Sequence, residues 1–293
     1  ALVFIKLKPI MRRKVVLVLA LLAGIVMSRI MSRTITHQSI NRAYSYFENP
    51  LYFEKGFVLR LVALFNSLGF YIAQCIFPFK QSCYYGVQSI AITSLSAYGW
   101  LGIFGSASIL FGMIYSYLKK KTELLWGLFA FAAGISMFLN FVKPAVGIVA
   151  DRFTFFGSFG FCVAAVFLLE PYFRTDARRG FFRVLAVILF CTYSFMTIAR
   201  NREWRNPAIM IAADLKKYPN SSYLNYLYAT AVMDSLVSNR GVLTTQAKEK
   251  KIVVIKDHLL RSIRISNDYP KAFDFISSVM VFLTKEYKAA LPY

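Results

Sequence analysis

The side chains best placed to do chemistry are charged residues that lie beside long uncharged runs. Asp151 and Arg152 come directly before the uncharged run Phe153–Leu169, and Lys143 begins the short segment that leads to them. Ionisable residues at the edge of a membrane span often mark a substrate pathway, and an arginine can bind a phosphate through two parallel hydrogen bonds. Arg152 is therefore a candidate to bind a lipid-linked phosphate. The structural alternative is that Asp151 and Arg152 pair with neighbouring side chains and fix the end of a helix.

The sequence lacks the residue patterns of the common metal, nucleotide and hydrolase sites. His37 and His258 are isolated, and there is no Cys-x-x-Cys, P-loop, Gly-x-Gly-x-x-Gly or Gly-x-Ser-x-Gly. Cys75 and Cys83 could pair, although their spacing alone is a weak indication. The net charge of +21 comes largely from basic residues that flank apolar runs, so it indicates anionic lipid head groups and not nucleic acid. We expect no metal and no cofactor, only a lipid-linked substrate.

The elements that must position the charged residues are apolar helices. Of the 293 residues, 57% are apolar and 17% are charged, whereas a soluble domain carries about 25% charged residues. A helical span needs about 20 apolar residues. Six uncharged runs approach that length: Val15–Ser28, Leu61–Phe79, Tyr98–Leu118, Leu124–Val142, Phe153–Leu169 and Val184–Ala199. These runs predict an all-α fold with a polytopic helical membrane domain over residues 1–199, comprising five or six spans plus an outer interfacial segment.

Lysine and arginine predict the topology, because basic loops stay in the cytoplasm. Basic residues between 6 and 14 place the start inside, Lys119–Lys121 predicts a cytoplasmic turn, and the basic stretch 174–183 predicts a second one. The segment 143–152 and everything after residue 199 then lie outside. The first span then exits the cytoplasm and Tyr98–Leu118 must also begin outside, so an even number of crossings lies between these two spans. We therefore expect Leu61–Phe79 to lie in, or dip into, the outer interface. The alternative is a second, polar crossing by Gln81–Ala97.

Residues 200–293 contain no long uncharged run and predict a soluble domain of helical hairpins outside the membrane. The predicted helices are Pro207–Lys217, Ser221–Ser238, Ala247–Ser266, Lys271–Leu283 and Glu286–Leu291. Tyr-Pro occurs at 218–219 and again at 269–270, each time before a new helix. This pattern resembles tetratricopeptide repeats, in which helix pairs stack, although the spacing of 51 residues exceeds their usual period of about 34. A generic helical-hairpin domain is the alternative.

Three phrases of the sequence together resemble one family of membrane proteins. Residues 150–162 resemble the Ala-Glu-Arg-x-x-Tyr-x-Pro-Ser-x-Gly-Phe-Cys stretch of the tetratricopeptide-repeat transmembrane O-mannosyltransferase-like proteins, which are polytopic glycosyltransferases of the GT-C type. Glu48-Asn49-Pro50, followed by Arg60 and Pro78, resembles the Asp-Asn-Pro loop of that family and its arginine-bearing helix that ends in proline. Arg200-Asn201-x-x-Trp204, followed by Tyr218-Pro219-Asn220, resembles its passage from the last span into the repeats.

The sequence also departs from the family pattern at several positions. Asp151 stands where the family has Glu, Phe155 where it has Tyr, and Gly157 where it has Pro. After Pro78, the Asp of the family's Leu-Ser-x-Asp-Tyr is replaced by Tyr84.

The resemblance implies transfer of a sugar from a polyprenyl-phosphate donor to a protein or glycan acceptor on the extracytoplasmic face. It implies that Arg152 binds the lipid phosphate and that Asp151 orients Arg152, with Arg60 and Lys143 as further cations of the same outer face. The repeats would present the acceptor or bind protein partners. Compact loops with few cysteines favour a bacterial inner membrane with the C-terminal domain in the periplasm. The alternative is an endoplasmic reticulum membrane with lumenal repeats.

The family places its acidic catalytic base in the first extracytoplasmic loop, which would precede Ala1. The chain begins without Met and ends at Tyr293 inside an apparent repeat. We therefore expect a fragment, namely the C-terminal membrane half of such an enzyme with its first, truncated repeats.

Two other functions fit the same pattern of spans and repeats. One is an O-antigen polymerase or ligase, which would favour a large outer loop with catalytic Arg and His. The other is a non-enzymatic, membrane-anchored scaffold whose repeats bind partners. The scaffold predicts that Asp151 and Arg152 are dispensable, whereas changes on the repeat surface abolish function.

Overall fold

The structure is a computed structural model that describes residues 46, 48–85, 89–173, 176–239 and 241–292. These residues form helices and irregular segments without a strand, which confirms the all-α prediction. They belong to one compact unit, Ser45–Tyr293. The predicted span Val15–Ser28 and His37 lie outside the described residues.

The α-helices, numbered in chain order, divide into an apolar group and a more polar group. The apolar group comprises α1 (Phe57–Ile76), α2 (Ala97–Leu118), α3 (Thr122–Ser136), α4 (Thr154–Leu169) and α5 (Asp176–Glu203). The more polar group comprises α6 (Pro207–Lys217), α7 (Ser222–Ser238), α8 (Thr245–Ile265), α9 (Pro270–Ser278) and α10 (Tyr287–Ala290). Short 3-10 turns cover Pro50–Tyr52, Asp151–Phe153 and Glu170–Phe173, and Val279–Leu283 is a π-helical turn.

Four stretches of the described chain are long and apolar enough to cross a membrane. They are Phe57–Ile76, Ala97–Leu118, Asp151–Tyr172 and Gly180–Glu203. These four candidate spans indicate a membrane protein. The predicted span Leu124–Val142 is shorter than expected, because α3 ends at Ser136. The chain leaves the helix before Asn140, whose φ of 61° no continuing α-helix can accommodate.

Helices α1 and α2 run parallel and touch backbone to backbone. The facing pairs share one sequence offset: Asn66 with Gly99, Gly69 with Gly102, and Ile72 with Gly105. A Cβ atom added at Gly69 would lie 1.8 Å from the Tyr98 carbonyl oxygen, and one added at Gly102 would lie 1.9 Å from the Phe65 carbonyl oxygen. Small residues at such crossings are typical of helices packed in membranes.

The parallel packing dictates the path of the segment 77–96. Helix α2 starts beside Asn66, in the middle of α1, so the chain must return along α1 after Ile76 before it begins α2. By the same offset, α1 ends about halfway along α2. The chain thus runs forward along α1 and back along 77–96 before α2 begins.

Helices α3 and α4 form a tight antiparallel pair. Gly127 faces Ala164, Phe131 faces Gly160, and Gly134 faces Gly157. A Cβ atom at Gly160 would lie 2.3 Å from the Phe131 backbone nitrogen. The pair presents the start of α4, with Asp151 and Arg152, at the end of the bundle where α3 finishes.

The predicted helical hairpins of the C-terminal region are confirmed, although their identity as tetratricopeptide repeats is not. Side-chain caps start three of the helices: Asn206 accepts from the Ala208 N–H, Ser221 from the Leu224 N–H and Thr244 from the Ala247 N–H. Such caps satisfy the first free N–H groups of a helix. Helices α7 and α8 pair as a hairpin, and α8 packs on α9. Their shared core includes Ile255, Leu259, Tyr269, Ala272 and Ile276.

The variant Gly69→Ala should destabilise the bundle, because its methyl group would collide with the Tyr98 carbonyl, and overpacking of this kind costs about 1 to 3 kcal/mol. Gly180→Ala is the matched control, since no atom lies within 4 Å of that position and alanine favours a helix by about 1 kcal/mol over glycine. We expect the melting temperature in detergent to fall for Gly69→Ala and to hold or rise for Gly180→Ala. Equal melting temperatures would contradict the α1–α2 contact.

Candidate functional site

Asp151 is held by three uncharged donors from α1 and the segment 77–96. Its Oδ1 accepts hydrogen bonds from the Gln74 amide at 3.2 Å and from the Tyr85 hydroxyl, and its Oδ2 accepts one from the Ser82 N–H at 3.2 Å. The Tyr85 ring is buried against Phe70, at 4.9 Å between ring centroids. Burial and the adjacent Asp151 carboxylate raise the pKa of Tyr85 above its ordinary value. The hydroxyl therefore stays protonated and serves as a donor.

Arg152 points away from this arrangement and is exposed. Its guanidinium lies 5.0 Å from the centroid of the Phe153 ring, and it forms no hydrogen bond or ion pair with a described residue. The expectation that Asp151 orients Arg152 is therefore not met, because both carboxylate oxygens of Asp151 are used by Tyr85, Gln74 and Ser82. The structural alternative holds for Asp151 alone. Arg152 remains available to a ligand.

The structure brings the other two predicted cations to one segment. Arg60 of α1 donates through Nη1 to the carbonyls of Phe141 at 3.1 Å and Val142 at 3.4 Å. Lys143, the next residue, is exposed and has no polar partner among the described residues. The Arg60 Nε is buried without a hydrogen-bond partner. Arg60 therefore holds the segment that carries Lys143, and Lys143 is the freer cation.

Two buried asparagines fix the irregular segment between α3 and α4. Asn49 donates to the Asn140 side chain at 3.0 Å and to the Ala145 carbonyl at 2.7 Å. Asn140 in turn donates to the Ser67 hydroxyl at 3.0 Å and to the Ile148 carbonyl at 2.8 Å. Both asparagines are completely buried. This network locks the stretch from which Lys143 and Arg152 project.

An ion cluster ties the end of α5 to α6 and to the segment 77–96. Asp214 is completely buried and accepts two hydrogen bonds from Arg200, at 2.6 and 3.0 Å, and one from the Cys83 N–H at 2.7 Å. Lys217 lies 3.6 Å from the same carboxylate, and Glu203 pairs with Arg200. Burial alone would raise the pKa of Asp214, but the bonds from Arg200 and Cys83 outweigh it, so the pKa lies below its usual value.

The cysteines of this region are free in the structure. Burial raises the pKa of the Cys83 thiol to about 12, and the neighbouring Asp214 carboxylate adds to the shift. At neutral pH the thiol is therefore protonated and a poor nucleophile. The pairing of Cys75 with Cys83 that the sequence left open is not formed. Among the described residues, no group of three or more His, Cys, Asp or Glu could hold a metal ion.

Tyr218 joins the two carboxylate clusters. Its hydroxyl donates to the Lys80 carbonyl at 2.9 Å, and its ring lies 5.4 Å from that of Tyr85. The start of α4 and the end of α6 thus meet around the segment 77–96. The arrangement buries its carboxylates within networks and leaves Arg152 and Lys143 exposed. Chemically, it is suited to binding an anion at the edge of the apolar bundle.

Sequence reasoning missed several residues of this site. Asn140 could have been noticed as an asparagine inside an otherwise apolar run, since asparagine tolerates positive φ better than most residues. Asp214 could have been noticed as the acid on the apolar helix Pro207–Lys217. No local signal marks Gln74, whose partner Asp151 lies 77 residues away in sequence.

Comparison with known proteins found no relative: no protein-family model, no curated protein and no solved structure matches the chain. The class of the protein therefore follows from its own structure. It is a helical membrane protein whose last candidate span leads into helical hairpins, with exposed cations on the segment that precedes α4.

The variant Asp214→Asn should lower the free energy of unfolding by about 3 kcal/mol, because it removes the buried counter-charge of Arg200 and leaves only the partly exposed Glu203 to pair with it. The folded pKa of Asp214 is depressed, so the stabilisation is present above the unfolded pKa of about 3.9 and is lost as pH falls through the folded pKa. Wild-type stability should therefore fall steeply below about pH 4, and this part of the pH dependence should disappear in the variant.

Asp234→Asn is the matched control, since Asp234 lies exposed on α7. Thermal unfolding in detergent between neutral and acidic pH measures both variants. If Asp214→Asn unfolds like the control at neutral pH, the ion pair does not hold α6 in place.

Proposed function

We propose that the chain is part of a membrane glycosyltransferase that transfers a sugar from a polyprenyl-phosphate-linked donor to a protein or glycan acceptor. The transfer would take place on the extracytoplasmic face. The observation that carries the proposal is Arg152, an exposed guanidinium at the start of α4 without a partner among the described residues. Directly after it, Phe155, Phe156 and Phe159 are each more than 70% exposed. A phosphate with a long apolar tail matches both features.

The local electrostatics favour a phosphate at Arg152. The neighbouring acid, Asp151, already accepts three hydrogen bonds. Lys143 lies on the same locked segment and adds a second exposed positive charge. The start of a helix also presents free N–H groups that attract anions. These features together support an anion site next to an apolar surface.

In the proposed reaction, Arg152 stabilises the negative charge that develops on the departing lipid phosphate. Lys143 assists as a second cation, and Arg60 acts as a positioning residue through its hydrogen bonds to the carbonyls before Lys143. Asp151 keeps the start of α4 in register with the segment 77–96. The acceptor hydroxyl must lose a proton to a general base. We assign that base to no residue of this site.

The helical hairpins would present the acceptor. Asp214 and Tyr218 attach α6 to the segment 77–96, whose Ser82 and Tyr85 also hold Asp151. An acceptor bound to the hairpins would therefore lie near the start of α4. The proposed setting is a bacterial inner membrane with the hairpins in the periplasm, and the alternative is an endoplasmic reticulum membrane with lumenal hairpins.

A non-enzymatic scaffold is the second candidate, because the hairpin domain has a binding groove of its own. A groove of about 420 Å³ lies between α6, α7 and α8. Its walls include Ala208, Tyr228 and Val232, and Lys250 and Lys251 line it as well. Such a groove suits a partner peptide with apolar and acidic residues. In this case the hairpin surface, and not Arg152, would carry the function.

The variant Arg152→Ala in the full-length protein should lower kcat/KM for sugar transfer about 100-fold or more, as removal of one group that stabilises a transition-state charge does. The kcat/KM of Arg152→Lys should lie between those of the wild type and Arg152→Ala, because lysine keeps the charge but cannot bind phosphate through a planar fork. Arg183→Ala is the matched control. This exposed arginine lies about 25 Å along α5 from Arg200, whose ion cluster contacts the segment 77–96 that also holds Asp151.

Transfer is measured with a polyprenyl-phosphate sugar and the purified protein in vesicles. Unchanged transfer by Arg152→Ala would reject the proposed role of Arg152. If Lys250→Glu with Lys251→Glu then abolished the cellular function while Arg152→Ala did not, the scaffold would be the better description.

A further inference from the structure

A cavity of about 650 Å³ lies beside the second half of α2. Helix α1 covers only the first half of α2, and Ile72, near the end of α1, is the α1 residue that lines the cavity. Beyond Ile76 the place that a full-length neighbour of α2 would occupy is left open in the described part of the chain. The cavity therefore follows from the short overlap of α1 with α2.

The walls are apolar along most of their length. Residues of α3 and α4 face the second half of α2 across the cavity, among them Leu124, Leu128, Phe131, Phe161 and Leu168. Ser108 is the polar side chain in the middle of the α2 wall. The volume falls within the range of about 300 to 1,000 Å³ typical of small-molecule pockets. An apolar chain in this space would cover apolar walls without burying an unpaired polar group.

Polar groups gather at one end of the cavity. Lys121, Tyr115 and Tyr172 line that end, and the Lys121 Nζ lies 5.2 Å from the centroid of the Tyr115 ring. Lys121 has no ion pair with a described residue, and no carboxylate lines the cavity. Lys119 and Lys120 are exposed on the same turn. The lining at this end thus carries one positive charge and no negative charge, and the interior is apolar.

We propose that this cavity binds one anionic phospholipid, with an acyl chain along the apolar walls and the phosphate on Lys121. The distribution of charge matches such an amphiphile, which has a negative group at one end of a long apolar chain. The donor lipid of the proposed transferase is a poorer match, because Arg152 does not line the cavity. Arg152 lies about 24 Å along α4 from Leu168, at the opposite end of the helix. The lipid site is independent of the proposed transfer reaction.

Selectivity for a negative head group should be modest and measurable. One lysine near a membrane surface contributes about 1 kcal/mol toward an anionic lipid, which corresponds to about fivefold in affinity. The acyl chain supplies the rest of the binding, and that part does not depend on head-group charge.

The experiment uses the full-length protein in nanodiscs that contain equal amounts of phosphatidylglycerol and phosphatidylcholine with the same chains. Native mass spectrometry counts the lipids that each variant retains. The wild type should retain phosphatidylglycerol about fivefold over phosphatidylcholine. Lys121→Gln should abolish that preference, whereas Lys119→Gln, the matched control on the same turn, should keep it. Ala165→Trp, which fills the cavity, should reduce retention of both lipids alike.

Three outcomes would overturn the proposal. The first is equal retention of the two lipids by the wild type, or a preference that survives Lys121→Gln. The second is retention of an added polyprenyl phosphate in place of phosphatidylglycerol that is lost in Lys121→Gln and in Ala165→Trp but not in Arg152→Ala, which would assign the cavity to the donor. The third is efficient cross-linking of cysteines placed at Ser108 and within Val15–Ser28 without any retained lipid, which would assign the cavity to this chain's own apolar run.

Discussion

The close contact between α1 and α2 is the constraint on which the rest of the described structure depends. Gly69 and Gly102 let two parallel backbones touch, and the offset of that contact places the start of α2 beside the middle of α1. A chain that must begin its next helix there has to return along the helix that it has just finished. The segment 77–96 is that return path, and its irregular backbone needs hydrogen-bond partners that a lipid environment cannot supply. The neighbouring elements supply them.

The partners of this return segment come from both sides of the helical bundle. Asp151, at the start of α4, accepts from Ser82 and Tyr85, and Asp214, on the first helix after the last span, accepts from Cys83. The two carboxylates meet different donors. Neutral groups surround Asp151, whereas Arg200 neutralises Asp214 through two hydrogen bonds. The same segment therefore fixes the register of α4 and the attachment of the hairpin domain. The exposed cations Arg152 and Lys143 take part in none of these hydrogen bonds.

Much of the fold could be predicted from the sequence because it depends on local patterns. Uncharged runs located the helices, and capping residues with prolines located the ends of α6 and α7. The end of α3 was missed, since the signal is a single buried asparagine whose partners Asn49 and Ser67 are remote in sequence. The resemblance implied that Asp151 orients Arg152, but packing of α4 against α1 and the segment 77–96 gives the Asp151 carboxylate other partners, Gln74, Ser82 and Tyr85. For Arg152, the sequence shows only an arginine at the start of a helix, and that alone does not predict that its side chain is exposed.

The distance in sequence between Cys83 and Asp214 has a consequence for biosynthesis. These two residues, which share a hydrogen bond, are 131 positions apart. A ribosome adds about 5 to 20 residues each second. Roughly 7 to 26 s therefore pass between the synthesis of Cys83 and that of Asp214, whose carboxylate accepts the Cys83 N–H. During that time α1 and α2 have already been made. The return segment must spend the interval in water or within the insertion machinery, and the helical bundle can reach its final form only when the first hairpin helix has been synthesised.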